Sequence, residues 1–323
     1  MEDFGYRRPV SQRLLVLGVD RVLGANLALA LSDRFAVLGL HQDRSVRLDG
    51  CQTAPWNRAD RAALARLIRR HAPHWIIHGG PLACSSWDAP AQVPESQEEA
   101  ETVSFLAGVS AEMGSRLTVL STDAVFAGPR LFHGEDDHAF SRRSFARAAR
   151  QAEQTVRDSG ALLVRTCAYG WGPTGVEPGF AERVWQSLKE GACTALDPHR
   201  HATPILATDL AELLWLAYRR GLRGLYHVAG AERTSAYRFG GELAAAFGLR
   251  NRVTPAREDP FQPREPDQLQ ETSLATRRAR RELDRPMPML RDGLDRFAEQ
   301  AVNGFRARLR LPAQSVVFQE AAA

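Results

Sequence analysis

Two glycines, Gly18 and Gly24, stand where an apolar run gives way to a stretch rich in Ala and Leu. The run Leu14-Leu15-Val16-Leu17 reads as a buried strand, and Ala25 to Leu31 reads as a helix. Glycines in a strand–turn–helix let the backbone approach a pyrophosphate at the helix N-terminus. The loop between them is Val19-Asp20-Arg21-Val22-Leu23, so Arg21 takes the place of the middle glycine of a GxxGxxG loop. Its side chain either crowds the phosphate path or swings out and pairs with a phosphate. A site for NAD(H) carries an acid at the end of the second strand, whereas an Arg there accommodates the 2′-phosphate of NADP(H). Here that strand ends near His41, with Arg44 close by. Arg44 either answers a 2′-phosphate or is a solvated loop charge. The cofactor is therefore read as NADP(H) or NAD(H), unless the loop is a relic.

Other chemistry-bearing residues are scattered. His133, Asp136, Asp137 and His138 cluster in one segment. They are either proton donors at a strand end or an ordinary solvated loop, and their spacing suits no metal. His199, Arg200 and His201 form a second polar cluster. Cys51, Cys84, Cys167 and Cys193 are widely spaced and contain no CxxC pair, which argues against zinc and against a disulfide framework. Lys189 is the only lysine, so almost no lysine is available for catalysis.

The elements that must hold these residues alternate. Phe35 to Leu40, Trp75 to His78, Arg116 to Ser121 and Ala161 to Arg165 read as further strands. Between them come a helix capped by Asp60, a helix over Glu98–Met113 stopped by Gly114, and a helix over Arg142–Asp158. This order predicts an α/β fold, a Rossmann-type doubly wound parallel sheet with helices on both faces and ligands at the carboxyl ends of the strands. Helices at Phe180–Glu190, Asp209–Arg219 and Tyr237–Phe247 follow, with a short strand at Leu225–Val228. The proline-rich stretch from Pro255 to Pro266 predicts an extended loop, and Arg291–Leu309 predicts a last helix. The expected organisation is an extension over 1–12, a Rossmann domain over 13–170, a smaller α/β substrate portion over 171–310 partly interleaved with it, and a tail over 311–323.

Composition narrows the classes. The 323 residues carry 44% hydrophobic and 25% charged side chains, an ordinary globular balance. The net charge of +4 is interspersed and forms no basic face with interleaved aromatics, so nucleic acid is not expected as a partner. No run approaches the about 18 apolar residues of a membrane span. Met1–Gln12 lacks the apolar stretch of a secretory leader, so a cytoplasmic location is expected. Trp171 and Trp185 read as packing residues.

Several segments share one resemblance. Leu120-Ser121-Thr122-Asp123-Ala124-Val125-Phe126-Ala127-Gly128, followed by Glu135-Asp136-Asp137, resembles the STDxVFxG segment and acidic loop of dTDP-4-dehydrorhamnose reductases. Val164-Arg165-Thr166 with Tyr169-Gly170, Thr203-Pro204-Ile205 with Asp209-Leu210-Ala211, Gly224 to Gly230 with Ser235, and Arg291-Asp292-Gly293-Leu294 are similar to later segments of the same family, in order, over roughly residues 13 to 300. The branch belongs to the extended short-chain dehydrogenases and includes the non-catalytic regulatory beta subunit of methionine adenosyltransferase. The resemblance adds Asn57, Gly79 and Gly80 to the cofactor-facing set. It implies contact of a nucleotide sugar with Asp123, Val125, Arg200 and His201.

The resemblance also implies a Ser/Thr with a Tyr-x-x-x-Lys helix. Hydride delivery to a carbonyl leaves an alkoxide that needs a proton, and a tyrosine with a reference pKa of about 10 supplies it only with help from a nearby positive charge. Thr122 occupies the Ser/Thr position. With Glu153 matched to the family's glutamate, the Tyr position falls on Phe145 and the Lys position on Ala149; the family's structural Asn falls on Glu99. The loss does not depend on the alignment. The residues four beyond Tyr6, Tyr169, Tyr218, Tyr226 and Tyr237 are Val10, Pro173, Leu222, Gly230 and Gly241. Three functions follow as expectations: a non-catalytic or altered reductase-like protein that binds a dinucleotide, a nucleotide sugar or a partner enzyme; an active NADP(H)-dependent nucleotide-sugar reductase or epimerase using Asp137 or His138; or an interaction scaffold. A homodimer is compatible with each.

Overall fold

A computed structural model describes residues 12–90, 93, 97–256 and 271–310. The expected tail over 311–323, nearly all of the N-terminal extension and most of the proline-rich loop lie outside the described residues.

The first half of the chain alternates as its pattern predicts. It runs β1 (Arg13–Leu17), α1 (Val22–Leu31), β2 (Ala36–His41), β3 (Gln52–Pro55), α2 (Arg61–His71) and β4 (Trp75–His78). It continues with α3 (Glu98–Met113), β5 (Arg116–Thr122), α4 (Ser144–Val156) and β6 (Leu162–Thr166). Local signals account for the ends. The Asp60 carboxylate accepts the Ala63 N–H at 2.7 Å and caps α2. Gly114 closes α3 in the left-handed region at φ +64°.

The second half follows with β7 (Ala168–Tyr169), α5 (Phe180–Lys189), β8 (Thr194–Leu196), β9 (His201–Ala202), β10 (Ile205–Leu206) and α6 (Ala207–Arg220). Then come β11 (Gly224–His227), β12 (Thr234–Ser235), α7 (Ala236–Ala246), β13 (Val253–Pro255), α8 (Arg277–Leu283), α9 (Leu290–Val302) and α10 (Phe305–Arg308). The single helix expected over Arg291–Leu309 is thus two, because Gly304 at φ +90° breaks it. Strand β3 and helix α8 were not foreseen. The first has no apolar alternation, and the second is an arginine-rich turn of RRARREL.

Seven strands form one all-parallel sheet in the order β11-β6-β5-β4-β1-β2-β3. Its inner strands are predominantly apolar because both faces are covered, with a few buried polar residues such as His78, Ser121 and Arg165. Alternate side chains enter two different cores, as the period of two requires. Leu14 and Val16 of β1 join one cluster with Trp75, Ile77, Leu162 and Val164. Leu15 and Leu17 join the other, with Ile76, Leu163 and the buried residues of α3 and α4. The first cluster runs on into the C-terminal portion through Trp171, Phe239 and Phe297. Trp171 stacks on Phe297 at 4.1 Å and meets Trp185 edge-on at 5.0 Å, so both tryptophans are packing residues. The sheet itself is shared between the halves, since β11 lies beyond residue 170 and pairs with β6.

The chain leaves β3 at one edge and re-enters beside β1 as β4. The strand order therefore reverses between β1 and β4, and a crevice opens beyond their carboxyl ends.

Candidate functional site

The turn after β1 forms one wall of that crevice. Gly18 adopts φ +87°, and a Cβ there would come within 2.0 Å of the Gly79 carbonyl oxygen. A Cβ on Gly24 would come within 2.2 Å of the Gly18 carbonyl oxygen. In a glycine-rich dinucleotide loop the first glycine makes the tight turn and the third allows close packing, while the second lets the pyrophosphate approach. This chain keeps the two glycines that its own backbone requires and replaces the one that a ligand requires. Arg21 occupies that place as the N-cap of α1. It supplies no side-chain cap, and the first turn of α1 holds no acid to offset the positive helix end. The guanidinium pairs with Asp43 at 2.8 Å, both partly exposed.

Between β1 and β4 lies a cavity of about 240 Å³ lined by Asp20, Arg21, Val22, Leu23 and Gly80, with the N-terminal turn of α5 opposite. Asp88 fastens that far wall. Its carboxylate accepts the Ser85 hydroxyl at 2.9 Å, the Phe180 N–H at 2.7 Å and the Arg183 guanidinium at 3.0 Å. Asp20 is buried on the near wall. Its Oδ2 accepts the backbone N–H groups of Gln42 at 2.9 Å and Asp43 at 2.7 Å, with Arg44 at 3.4 Å. His41, at the end of β2, is buried, and burial pushes its pKa down against the pull of Asp20.

Other residues expected at the cofactor lie elsewhere or do other work. The Arg44 side chain is exposed. Asn57 is exposed at the approach to α2, where its side chain accepts the Ala59 N–H at 2.9 Å. The Gly79 N–H donates to the Leu17 carbonyl at 3.0 Å and holds the two strand ends together. Gly80 leaves room for a buried pair, because a Cβ there would meet Glu99 at 2.1 Å and His78 at 2.5 Å. Glu99 bonds His78 at 2.6 Å. Burial raises the Glu99 carboxyl, but His78 and Arg58 outweigh it and hold the pKa below the usual range.

The positions that the resemblance matches to the family's Ser/Thr, Tyr and Lys sit at the end of β5 and along α4. Thr122 is fully buried, and its hydroxyl oxygen accepts the Ala124 N–H at 3.0 Å. Phe145 and Ala149 are 2% and 1% exposed and belong to the apolar cluster that also holds Ala124, Val125 and Phe126. The face of α4 that would carry a tyrosine and a lysine is sealed by hydrocarbon.

The residues expected to meet a sugar are tied to one another. Asp123 is completely buried and accepts the Ser86 N–H at 2.8 Å, the Ser86 hydroxyl at 2.6 Å and the Thr272 hydroxyl at 2.6 Å. Burial raises its pKa against the pull of these bonds. The Arg200 guanidinium donates to the Ser86 carbonyl, and the His201 carbonyl accepts the Thr272 N–H at 2.9 Å. Val125 is buried in the apolar cluster with Phe126 and Phe145. Ser86 and Thr272 lie 37 and 149 residues from Asp123, a distance no local motif reveals.

The acidic loop gives little support to a replacement proton donor. His133 is fully buried, stacked on Phe126 at 4.3 Å, and its pKa is lowered by burial. Asp137 pairs with Arg130 at 2.9 Å and accepts the Gly134 N–H at 2.8 Å. Glu135 accepts the His227 N–H at 3.1 Å. Among the described residues no group of three or more potential ligands is placed to hold a metal ion. No helix among them is long and apolar enough to cross a membrane.

Fold and crevice together define a doubly wound Rossmann protein with its ligand position at the β1–β4 switch point. The chain belongs to the RmlD substrate binding domain family, whose model matches residues 12–303. It is similar to methionine adenosyltransferase 2 subunit beta of Xenopus laevis, at 25% identity over 77% of each chain. Its fold is similar to that of a hypothetical dTDP-4-dehydrorhamnose reductase of Sulfolobus tokodaii, with TM-score 0.69, 23% identity, and coverage of 84% of this chain and 94% of that one. The dTDP-4-dehydrorhamnose reductase of Bacillus anthracis, solved with NADP, gives TM-score 0.66 at 19% identity over 90% of this chain and 99% of that one. The resemblance read from the motifs is borne out at the level of family and fold.

Proposed function

We propose that this chain is a dinucleotide-binding member of its family that does not perform the tyrosine-dependent reduction. The observation that carries this reading is the burial of Phe145 and Ala149 in an apolar cluster, in a chain without any Tyr-x-x-x-Lys. A phenyl ring has no proton to give, and a methyl group has no charge with which to lower a neighbour's pKa.

The residues at the crevice fit a dinucleotide. Gly18 and Gly24 keep the tight turn, and the N-terminus of α1 offers unfilled N–H groups and a positive dipole end to a pyrophosphate. Asp20 lines the cavity with one buried oxygen that lacks a partner. A nicotinamide dinucleotide bound there would supply hydride chemistry. The cavity of about 240 Å³ is smaller than the roughly 300–1,000 Å³ common for ligand pockets, and Arg21 is a partly exposed residue of its lining whose displacement would widen it. An exposed ion pair such as Arg21–Asp43 contributes only about 0.2–1 kcal/mol, and a phosphate replaces Asp43 with a stronger charge-assisted bond. This favours an Arg21 that pairs with phosphate over one that blocks it.

The test is calorimetric titration of the pure protein with dinucleotides, followed by a turnover assay on dTDP-4-dehydrorhamnose. Micromolar binding without turnover is the expected result. Turnover proportional to protein would overturn the reading.

A second reading, association with a partner enzyme, has one observation of its own. Leu131, Phe132 and Met289 are 54%, 44% and 48% exposed and line a single groove of about 780 Å³. Exposed apolar side chains gathered in one place mark interaction surfaces. Sedimentation of the chain with a methionine adenosyltransferase catalytic subunit, with and without Leu131→Asp and Phe132→Asp, tests it. A complex abolished by the substitutions supports this reading, and no complex rejects it.

A further inference from the structure

Asp20 belongs to the glycine loop, yet its carboxylate works at the end of β2. Oδ2 is held by the N–H groups of Gln42, Asp43 and Arg44. Convergent backbone N–H groups of this kind form an anion-binding concavity, and here the protein's own side chain fills it. The residue is 5% exposed, it lines the β1–β4 cavity, and its Oδ1 is buried without a hydrogen-bond partner. A buried carboxylate oxygen left unpaired is costly, and as an acceptor it calls for a donor.

The adenosine ribose of a dinucleotide lies at this strand end in Rossmann folds, where an acid reads the 2′-hydroxyl or an arginine accommodates a 2′-phosphate. We propose that Asp20 is the ribose-reading acid of this chain, and that the site selects a dinucleotide with a free 2′-hydroxyl over one with a 2′-phosphate. The assignment rests on the dinucleotide reading above and gives it a ligand class.

The chemistry is one-sided. A ribose hydroxyl has a proton to donate to Oδ1. A phosphate ester near neutral pH carries about −1.5 to −2 charges and little donor capacity. Its oxygens would need N–H groups that Oδ2 already holds, and they would lie against the charges of Asp20 and Asp43. Of the nearby cations, Arg21 goes to the pyrophosphate in the reading above, and the Arg44 side chain is exposed, where solvent and salt screen its charge. Of the two cofactors that the sequence leaves open, this chemistry favours NAD(H) over NADP(H). The chain departs here from the Bacillus anthracis reductase, whose structure holds NADP.

The test is calorimetry on the full chain with NADH and NADPH, then with AMP and 2′,5′-ADP as probes of the adenosine end alone. Unmodified protein is expected to bind NADH at least about tenfold more tightly than NADPH, since like charges at this range repel strongly in a partly buried site. Asp20→Asn keeps the shape and an acceptor for the backbone N–H groups while removing the charge. It should shrink the ratio by about tenfold through a gain for NADPH. NADPH binding as tight as NADH in the unmodified protein would overturn the assignment while leaving the dinucleotide reading intact. Absence of binding by either dinucleotide would overturn both.

Discussion

At the residue scale, a buried ion pair remote from the cavity is a large energetic commitment. Arg165 of β6 meets Glu153 of α4 through two bonds at 2.9 Å and 2.6 Å, and the Ser121 hydroxyl donates to the same carboxylate at 2.6 Å. Both side chains are nearly inaccessible, at 5% and 7%. Removing one partner leaves the other charge buried and unpaired, so Glu153→Gln should cost about 3–5 kcal/mol. Urea unfolding measures it, and a double-mutant cycle with Arg165→Met should recover part of the loss. The neighbouring His227 donates through Nδ1 to the His133 carbonyl at 3.0 Å. Burial, and then the charge of Arg165, push its pKa down to about 3 from 6.5. The unfolded chain takes up this proton below pH 6.5 and the folded chain refuses it until about pH 3. Stability is therefore full above the upper value and drains as pH falls through the window. His41, His71 and His133 shift in the same direction through burial. The urea midpoint should fall between about pH 7 and about pH 5, and less steeply in His227→Asn.

The same scale shows what could be read in advance. Gly18, Gly24 and Asp60 carry local meaning, because a tight turn and a helix cap are made by neighbours in sequence. Asp20 was legible only as a member of the loop. Its partners, Gln42 to Arg44, lie 22 to 24 positions on, and only the β1–β2 register brings them to it. The pairs His78–Glu99 and Asp123–Thr272 are hidden for the same reason.

At the scale of elements, α4 decides the chemistry. Its buried face carries Phe145, Ala146, Ala149, Ala152, Glu153 and Val156, an apolar stripe broken only by the partner of Arg165. Restoring the missing pair by Phe145→Tyr and Ala149→Lys places a hydroxyl and a charge into that cluster. The hydroxyl alone costs about 1–3 kcal/mol if unpaired, and an unpaired buried ammonium costs several more. The double variant should melt well below the unmodified protein and gain no turnover. A stable variant with turnover would show that the α4 face still opens onto a working cleft. The alternation of helices and strands that places α4 beside β5 was plain in the sequence. Strand β3 and the break at Gly304 were not, because neither leaves a periodic pattern.

At the scale of the molecule, the sheet and its switch point are those of the family, and the crevice is the part still suited to a ligand. The backbone demands on the glycine loop are intact, whereas Phe145 and Ala149, which the resemblance matches to the family's Tyr and Lys, lie in the core. On the proposed reading, nucleotide binding and reduction come apart in this chain. The most direct measurement saturates the protein with NADH and follows the nicotinamide absorbance after addition of dTDP-4-dehydrorhamnose. Saturable binding with no protein-dependent loss of NADH is the predicted result. Oxidation of NADH in proportion to protein would contradict the account.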